Sequence, residues 1–240
     1  MCIIVYKPNN VEMPSVDILQ TCATNNKDGM GIAWKNQDGL YYSKGFMTFE
    51  DFSEYIFNMG KYVDFEKSEV ALHFRIATSG GVNIEKCHPF PISQSFEDME
   101  KAEGKTKALL FHNGVVGQGS KSHSDTEYFI KEKIYPAISD YKKVKDILEK
   151  EKGQRFVLMS ENNETIISGS WEKEGSIYYS NYSYIPYNTK YSFQDDYFED
   201  DILYILQDVY DLSKDRIVSD RLRKAIEYAY QVALEESYIL

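Results

Sequence analysis

The order in which strand signals follow one another constrains this chain more than any other feature. Short apolar runs come in clusters, with few strand–helix–strand alternations, and that pattern predicts an α+β fold with antiparallel sheets. The first run is CIIVY, residues 2–6, short and apolar in the manner of a buried strand. GIAW (31–34) and LYYS (40–43) flank Asn-Gln-Asp-Gly, which predicts a hairpin turned at Asp38-Gly39. EVALHFR (69–75) reads as a strand, and KALLFHNG (107–114) as another running into a sharp turn. RFVLMS (155–160), ETIISGSW (164–171) and SIYYSN (176–181) read together as a β-meander.

Helical spacing fills the intervals. Ile18, Leu19 and Cys22 follow Pro14-Ser15, giving a short helix that ends near Asn25-Asn26. Thr48 to Asp51 resembles a capping box ahead of Phe52, Tyr55, Ile56 and Met59, an amphipathic pattern. Further helices are expected at 124–134 and 140–151. Residues 93–106 are polar and acidic without apolar periodicity, so a surface loop or hairpin insertion is expected there. After Tyr187 comes an acidic run, Asp195, Asp196, Glu199, Asp200 and Asp201, and then two amphipathic helices. The predicted organisation is one domain over 2–190 and an acidic helical extension over 191–240.

Composition narrows the function classes. With 240 residues, a chain can bury roughly 70–75% of its unfolded surface and needs no metal or disulfide staple. Acids outnumber bases 38 to 27, for a formal charge of −11; a nucleic-acid partner would want a basic face. Three cysteines without a CxxC make neither a disulfide framework nor a zinc site, and they point to a reducing, cytoplasmic setting. The first residues lack a charged n-region, and no apolar run approaches the ~20 residues that cross a bilayer. No membrane and no nucleic acid are expected as partners.

Cys2 is where chemistry enters. Unpaired cysteines are among the most buried residues and mostly inert, so one reading makes Cys2 the first inward-facing residue of a strand. The other makes it a nucleophile, which needs a base, an oxyanion hole and a substrate clamp. Once Met1 is removed, the α-amine of Cys2 supplies the base, with an ordinary pKa of about 7.7–8.0. His112-Asn113-Gly114 ends a strand, and a side-chain amide with a backbone N–H makes a workable oxyanion hole; the same residues also make an ordinary Asn-Gly turn. Arg75 ends its strand where it can clamp a carboxylate through two bonds, or form a surface ion pair. Ser124 or Asp125 can cap the helix that begins there, or Asp125 can receive a substrate ammonium. Cys87 and His88 are neighbours on an extended segment, so their side chains face opposite ways. Four histidines without HExxH, and no GxGxxG or Walker pattern, give no expectation of a metal, a nucleotide or any other cofactor.

The order of these pieces carries more than each piece does. Cys2, then DGMGIAW (28–34), HFRIATSGGVN…CHPF (73–90), LLFHNG (109–114) and SDTE (124–127) resemble a class II glutamine amidotransferase domain. That family belongs to the N-terminal-nucleophile hydrolases and folds as a four-layer αββα sandwich. The resemblance runs over about residues 2–185, and its late segment, Gly169 to Asn181, is similar to small stand-alone members. It implies Cys2 as nucleophile with its α-amine as base, and Asn113 with the Gly114 N–H as oxyanion hole. It further implies Arg75 on the α-carboxylate of glutamine, Asp125 on the α-ammonium and Thr78 in contact with substrate. Gly29 and Gly31 would let their loop lie close over the nucleophile. Ile76 stands where many members have an aromatic residue, and Ser79 where many have histidine. Family synthases continue into a large second domain, whereas about fifty helical residues follow here. The implied activity is hydrolysis of glutamine or a γ-glutamyl-type amide, with ammonia released, or passed to a separate acceptor synthase subunit. The alternative from another class is a non-catalytic binding or assembly subunit that docks a partner through its helical tail.

Overall fold

The computed structural model describes residues 2–77, 82–120 and 122–186. These residues build a mixed α/β fold around two sheets, and every strand pairing in both is antiparallel. The larger sheet holds β1 (Ile3–Lys7), β2 (Met30–Asn36), β3 (Gly39–Phe46), β4 (Glu69–Phe74), β6 (Glu103–Thr106), β10 (Glu172–Glu174) and β11 (Ile177–Tyr179). Its spatial order is β10-β11-β1-β4-β2-β3-β6. The smaller sheet has the order β5-β7-β8-β9, from β5 (Phe90–Pro91), β7 (Ala108–Asn113), β8 (Arg155–Ser160) and β9 (Ile166–Ser168). The predicted hairpin forms, but it turns at Gln37-Asp38, one residue earlier than expected, with Asn36 opposite Gly39.

Successive side chains of a strand point to opposite faces, and the apolar residues sort accordingly. Ile3 and Val5 of β1 join a cluster with Ile32, Leu72 and Phe74, where α1 (Val16–Asn25) and α2 (Phe49–Met59) contribute Leu19, Cys22 and Phe52. Ile4 and Tyr6, on the other face of β1, join Ala33, Ala71, Leu109, Phe111, Val157 and Met159, a cluster fed by both sheets. Leu110, Phe156 and Leu158 face away from that cluster and pack against Phe129, Ile130, Val144 and Leu148. Those come from α4 (Asp125–Phe129), the wider turn that continues it through Ile134, and α5 (Tyr141–Lys150).

The helix starts follow their caps. Ser15 Oγ accepts from Ile18 N at 3.3 Å, and Thr48 Oγ1 accepts from Asp51 N at 3.1 Å. Ser124 and Glu127 form a full capping box at α4. Each cap satisfies amide donors that the first turn leaves without a partner.

Two expectations are corrected. Residues 93–106 are more than a surface loop: they fold as α3 (Phe96–Glu100), whose Met99 is fully buried, and as β6 on the sheet edge. Leu40 pairs with Thr106 and Ser43 with Glu103. An edge strand is held by backbone bonds to a single neighbour, so a polar sequence without periodicity suffices. The late meander also divides: β8 and β9 stay in the smaller sheet, while β10 and β11 belong to the larger one. Gly169 stands at this crossing, with φ +96° and the Gln154 carbonyl oxygen 2.1 Å from where a Cβ would lie. Only glycine fits there.

The expected extension over 191–240 lies outside the described residues. No helix among the described residues is long and apolar enough to cross a membrane.

Candidate active site

Strand alternation decides which way each candidate points. One residue before β1, Cys2 shares its parity with Ile4 and Tyr6, which face the inter-sheet cluster. On the β4 line, Arg75 follows His73 and Ala71, and Ala71 lies in that cluster. On β7, Asn113 follows Leu109 and Phe111, also in it. Cys2, Arg75 and Asn113 therefore belong to the inner faces of the two sheets, at the end of the strands where β1 begins and β4 and β7 finish.

The backbone fixes Cys2 against the segment that follows β4. Its Sγ accepts from Ile76 N at 3.3 Å and donates to Ile76 O at 3.5 Å. Burial pushes the thiol pKa above its ordinary value, while the Ile76 N–H and the Arg75 charge pull it down. Arg75 is itself buried. Its N–H donates to Gly29 O at 2.8 Å and its carbonyl accepts from Asp28 N at 2.9 Å. Asp28 Oδ2 also accepts from Ala77 N at 2.8 Å, so the chain on both sides of Arg75 is braced from one loop.

Asn113 reaches the strand of Cys2 through one intermediary, Ser180. Asn113 Nδ2 lies 2.9 Å from Ser180 Oγ, which accepts from Ile4 N at 2.8 Å. Ser180 N donates to Ile4 O at 3.0 Å, and Asn181 Nδ2 donates to Cys2 O at 2.6 Å. Ser180 and Asn181 enter here because β11 lies beside β1, with Val5 opposite Tyr179.

Gly114 has φ +147°, and Gln154 Oε1 lies 1.8 Å from where its Cβ would be. That oxygen accepts from Val115 N at 2.7 Å and lies 3.0 Å from His112 Nε2, so it pins the turn after Asn113. Asp125 works on the same turn: Oδ2 accepts from Val116 N at 2.8 Å and Oδ1 from Thr126 N at 2.9 Å. Its carboxylate thus has backbone partners of its own.

The two predicted loop glycines stand hard against the segment that carries Cys87 and His88. A Cβ on Gly29 would lie 2.3 Å from Cys87 Sγ, and one on Gly31 would lie 2.0 Å from His88 O. The missing side chains thus let the Cys87-His88 segment approach both glycines closely. Thr78 lies outside the described residues. Cys87 and His88 do turn to different neighbours: Cys87 Sγ lies 3.8 Å from Asn83 O, and the His88 ring centroid lies 4.3 Å from that of His73, with the planes tilted by 36°.

No family model matches the sequence, and no curated protein matches it. Among solved structures, the fold is similar to glutamine phosphoribosylpyrophosphate amidotransferase from B. subtilis complexed with ADP and GMP, at 18% identity and a TM-score of 0.42. It is also similar to a chain described as the allosteric regulatory enzyme of purine biosynthesis, at 20% identity and a TM-score of 0.46. Each likeness covers 75% of this chain and 41% of the other.

Several groups around the site gave little sequence signal. Ser180 and Gln154 are polar residues in ordinary surroundings, and only the sheet topology brings them to Asn113. His73 and His88 are buried, and their ring nitrogens have no hydrogen-bond partner among the described residues. Burial holds the His73 pKa down to about 3 and that of His88 well below its ordinary value, and the Arg75 charge adds to both effects. Lys44 is buried too and donates to Met99 O at 2.6 Å and Glu85 O at 3.1 Å. Burial pushes its pKa down to about 7. Glu100, His123 and Glu127 bring potential metal-ligand atoms within 4.8 Å of one another. The Lys86 ammonium stands among them, at 2.6 Å from Glu100, 3.0 Å from Glu127 and 3.5 Å from His123, and supplies the cation itself.

Proposed function

We propose that this chain is a cytoplasmic class II glutamine amidotransferase-like amidohydrolase with a four-layer αββα architecture. Its substrate is glutamine or a γ-glutamyl-type amide. One observation carries the reading: Cys2, Arg75 and Asn113 share the inner faces at one end of the two sheets, and Ser180 links Asn113 to the strand of Cys2. The sequence order of these residues supports it independently.

In this mechanism the α-amine of Cys2, freed by removal of Met1, takes the thiol proton as Sγ attacks the amide carbon. Charge gathers on the amide oxygen, and Asn113 Nδ2 with the Gly114 N–H stabilises it. The same amine then returns the proton to the leaving nitrogen, so ammonia departs and a γ-glutamyl thioester remains. Water, activated in the same way, hydrolyses the thioester to the acid and restores the thiol. Arg75 holds the α-carboxylate, Asp125 the α-ammonium and Thr78 touches the substrate. Ammonia is either released or passed to a separate acceptor synthase subunit.

A second reading, a non-catalytic subunit on the same fold, draws on the burial that raises the Cys2 thiol pKa, since the thiolate is the reactive form. Treating mature protein with an electrophilic glutamine analogue, and measuring ammonia release from glutamine, separates the two. Stoichiometric labelling at Cys2 with ammonia release supports the amidohydrolase. Neither event, in protein shown by mass to begin at Cys2, would leave the binding subunit.

A further inference from the structure

The hydrogen bonds around Ser180 do not balance as drawn. Its Oγ receives two donors, Ile4 N at 2.8 Å and Asn113 Nδ2 at 2.9 Å. The Ser180 hydroxyl proton then has no acceptor among the described residues. Beside it, Asn113 Oδ1 is buried with no hydrogen-bond partner, although Asn113 is only 1% exposed. An idle donor and an orphaned acceptor on two residues already in contact are a costly pair. The two ends of an amide have nearly the same shape, so the network and not the outline decides which is oxygen. Exchanging them gives the Ser180 hydroxyl proton an acceptor and leaves the amide N–H donors as the groups awaiting one. Ile4 N still donates to Ser180 Oγ, Ser180 O–H donates to Asn113 Oδ1, and Nδ2 moves to where the orphaned oxygen stood.

We propose that Ser180 is a positioning residue: its hydroxyl donates to Asn113 Oδ1 and so turns the Asn113 N–H donors toward the oxygen that gains charge during amide attack. This rests on the amidohydrolase reading above. The backbone N–H of Ile4 orients Ser180 in turn, so the strand that carries the nucleophile also aims the oxyanion donor. An amide left free to turn would present oxygen to oxygen for part of the time, and repulsion would replace stabilisation.

The test uses the full chain with its mature N-terminus and has two arms. In the kinetic arm, Ser180→Ala is expected to lower kcat for ammonia release from glutamine by ~10–100-fold with little change in KM, a part of the 10²–10³-fold cost of losing such a donor outright. Alkylation of Cys2 by iodoacetamide, which builds no oxyanion, should keep its rate. Ser180→Thr, which retains the hydroxyl, should recover most of the turnover. Asn113→Ala with Ser180→Ala should be no slower than Asn113→Ala alone, because both act through one donor. An unchanged kcat in Ser180→Ala, or losses that multiply in the double variant, overturns the proposal.

The structural arm needs no turnover. In ¹⁵N-labelled protein, the Asn113 side-chain amide protons should show weak or absent transfer to the Ser180 β-protons. Strong transfer places the NH₂ on Ser180 and overturns the proposal even if the enzyme is active. A wild type that releases no ammonia but shows the predicted amide orientation instead counts against the amidohydrolase reading and leaves the hydrogen-bond assignment standing.

Discussion

At the scale of single residues, the site depends on groups whose protons and charges must be in the right place. Replacing Asn113 with alanine is expected to cut turnover by ~10²–10³-fold while the fold persists. Stopped assays on glutamine, paired with a thermal melt, check both halves. Arg75→Lys keeps the charge but loses the two-pronged geometry. It should weaken capture of substrates bearing an α-carboxylate more than that of analogues lacking it. An unchanged kcat/KM for both removes Arg75 from the substrate site. For Cys2 the decisive variable is what precedes it. A retained Met1 converts the amine into an amide, which accepts no proton near neutrality, so untrimmed protein should be folded but nearly inactive. Intact mass and ammonia release on matched samples measure this directly. Much of this constellation was legible in the sequence, because Cys2, Arg75, Asn113 and Asp125 stand at ends of segments whose types could be read. The backbone partners of the Asp125 carboxylate, Val116 N and Thr126 N, were not legible. They depend on how a turn folds back onto a helix start.

At the scale of elements, the turn after β7 carries the strongest local constraint. Gly114 combines φ +147° with a side-chain oxygen 1.8 Å from the place of a Cβ. Gln154 has little freedom to retreat, since the same oxygen accepts from Val115 N. Gly114→Ala should therefore destabilise the protein by about 1–3 kcal/mol and reduce turnover as well. Chemical denaturation reads the first effect, and a wild-type midpoint would show that the turn relaxes freely. Strands were the most legible elements, because buried runs such as Val70–Leu72 and Leu109–Phe111 are apolar on both faces. The edge strand β6 was missed because EGKT (103–106) has no apolar face. The meander was misjudged for another reason: three consecutive strand signals say nothing about which sheet each one joins. Gly169 holds that information in its φ angle, and a sequence does not display φ.

At the scale of the whole described body, the interior between the sheets ends in histidines rather than in apolar residues. His73 and His88 are held neutral, His73 with a pKa near 3 against an ordinary 6.5. The unfolded chain takes up these protons first as pH falls. The stability due to the neutral rings is thus complete above about 6.5 and lost progressively below it, as the unfolded rings take up protons that the buried ones refuse. Melting temperature should fall steadily between pH 6.5 and 4. In His73→Phe, that part of the slope contributed by His73 should disappear. A slope identical in wild type and variant would assign acid lability to other groups.

The bond from Asn181 to the carbonyl of Cys2 joins residues 179 positions apart. In terms of synthesis, the strand behind Cys2 has no β11 beside it until the ribosome has made nearly the whole described body. At 5–20 residues per second that interval is roughly 10–40 s, during which β1 can pair with β4 but still lacks β11 on its other side. An aminopeptidase meets an unpaired chain end early in that interval, and a partly buried Cys2 afterwards. On the amidohydrolase reading, removal of Met1 is therefore expected to be faster on the nascent chain than on the folded one, where Cys2 is only partly exposed.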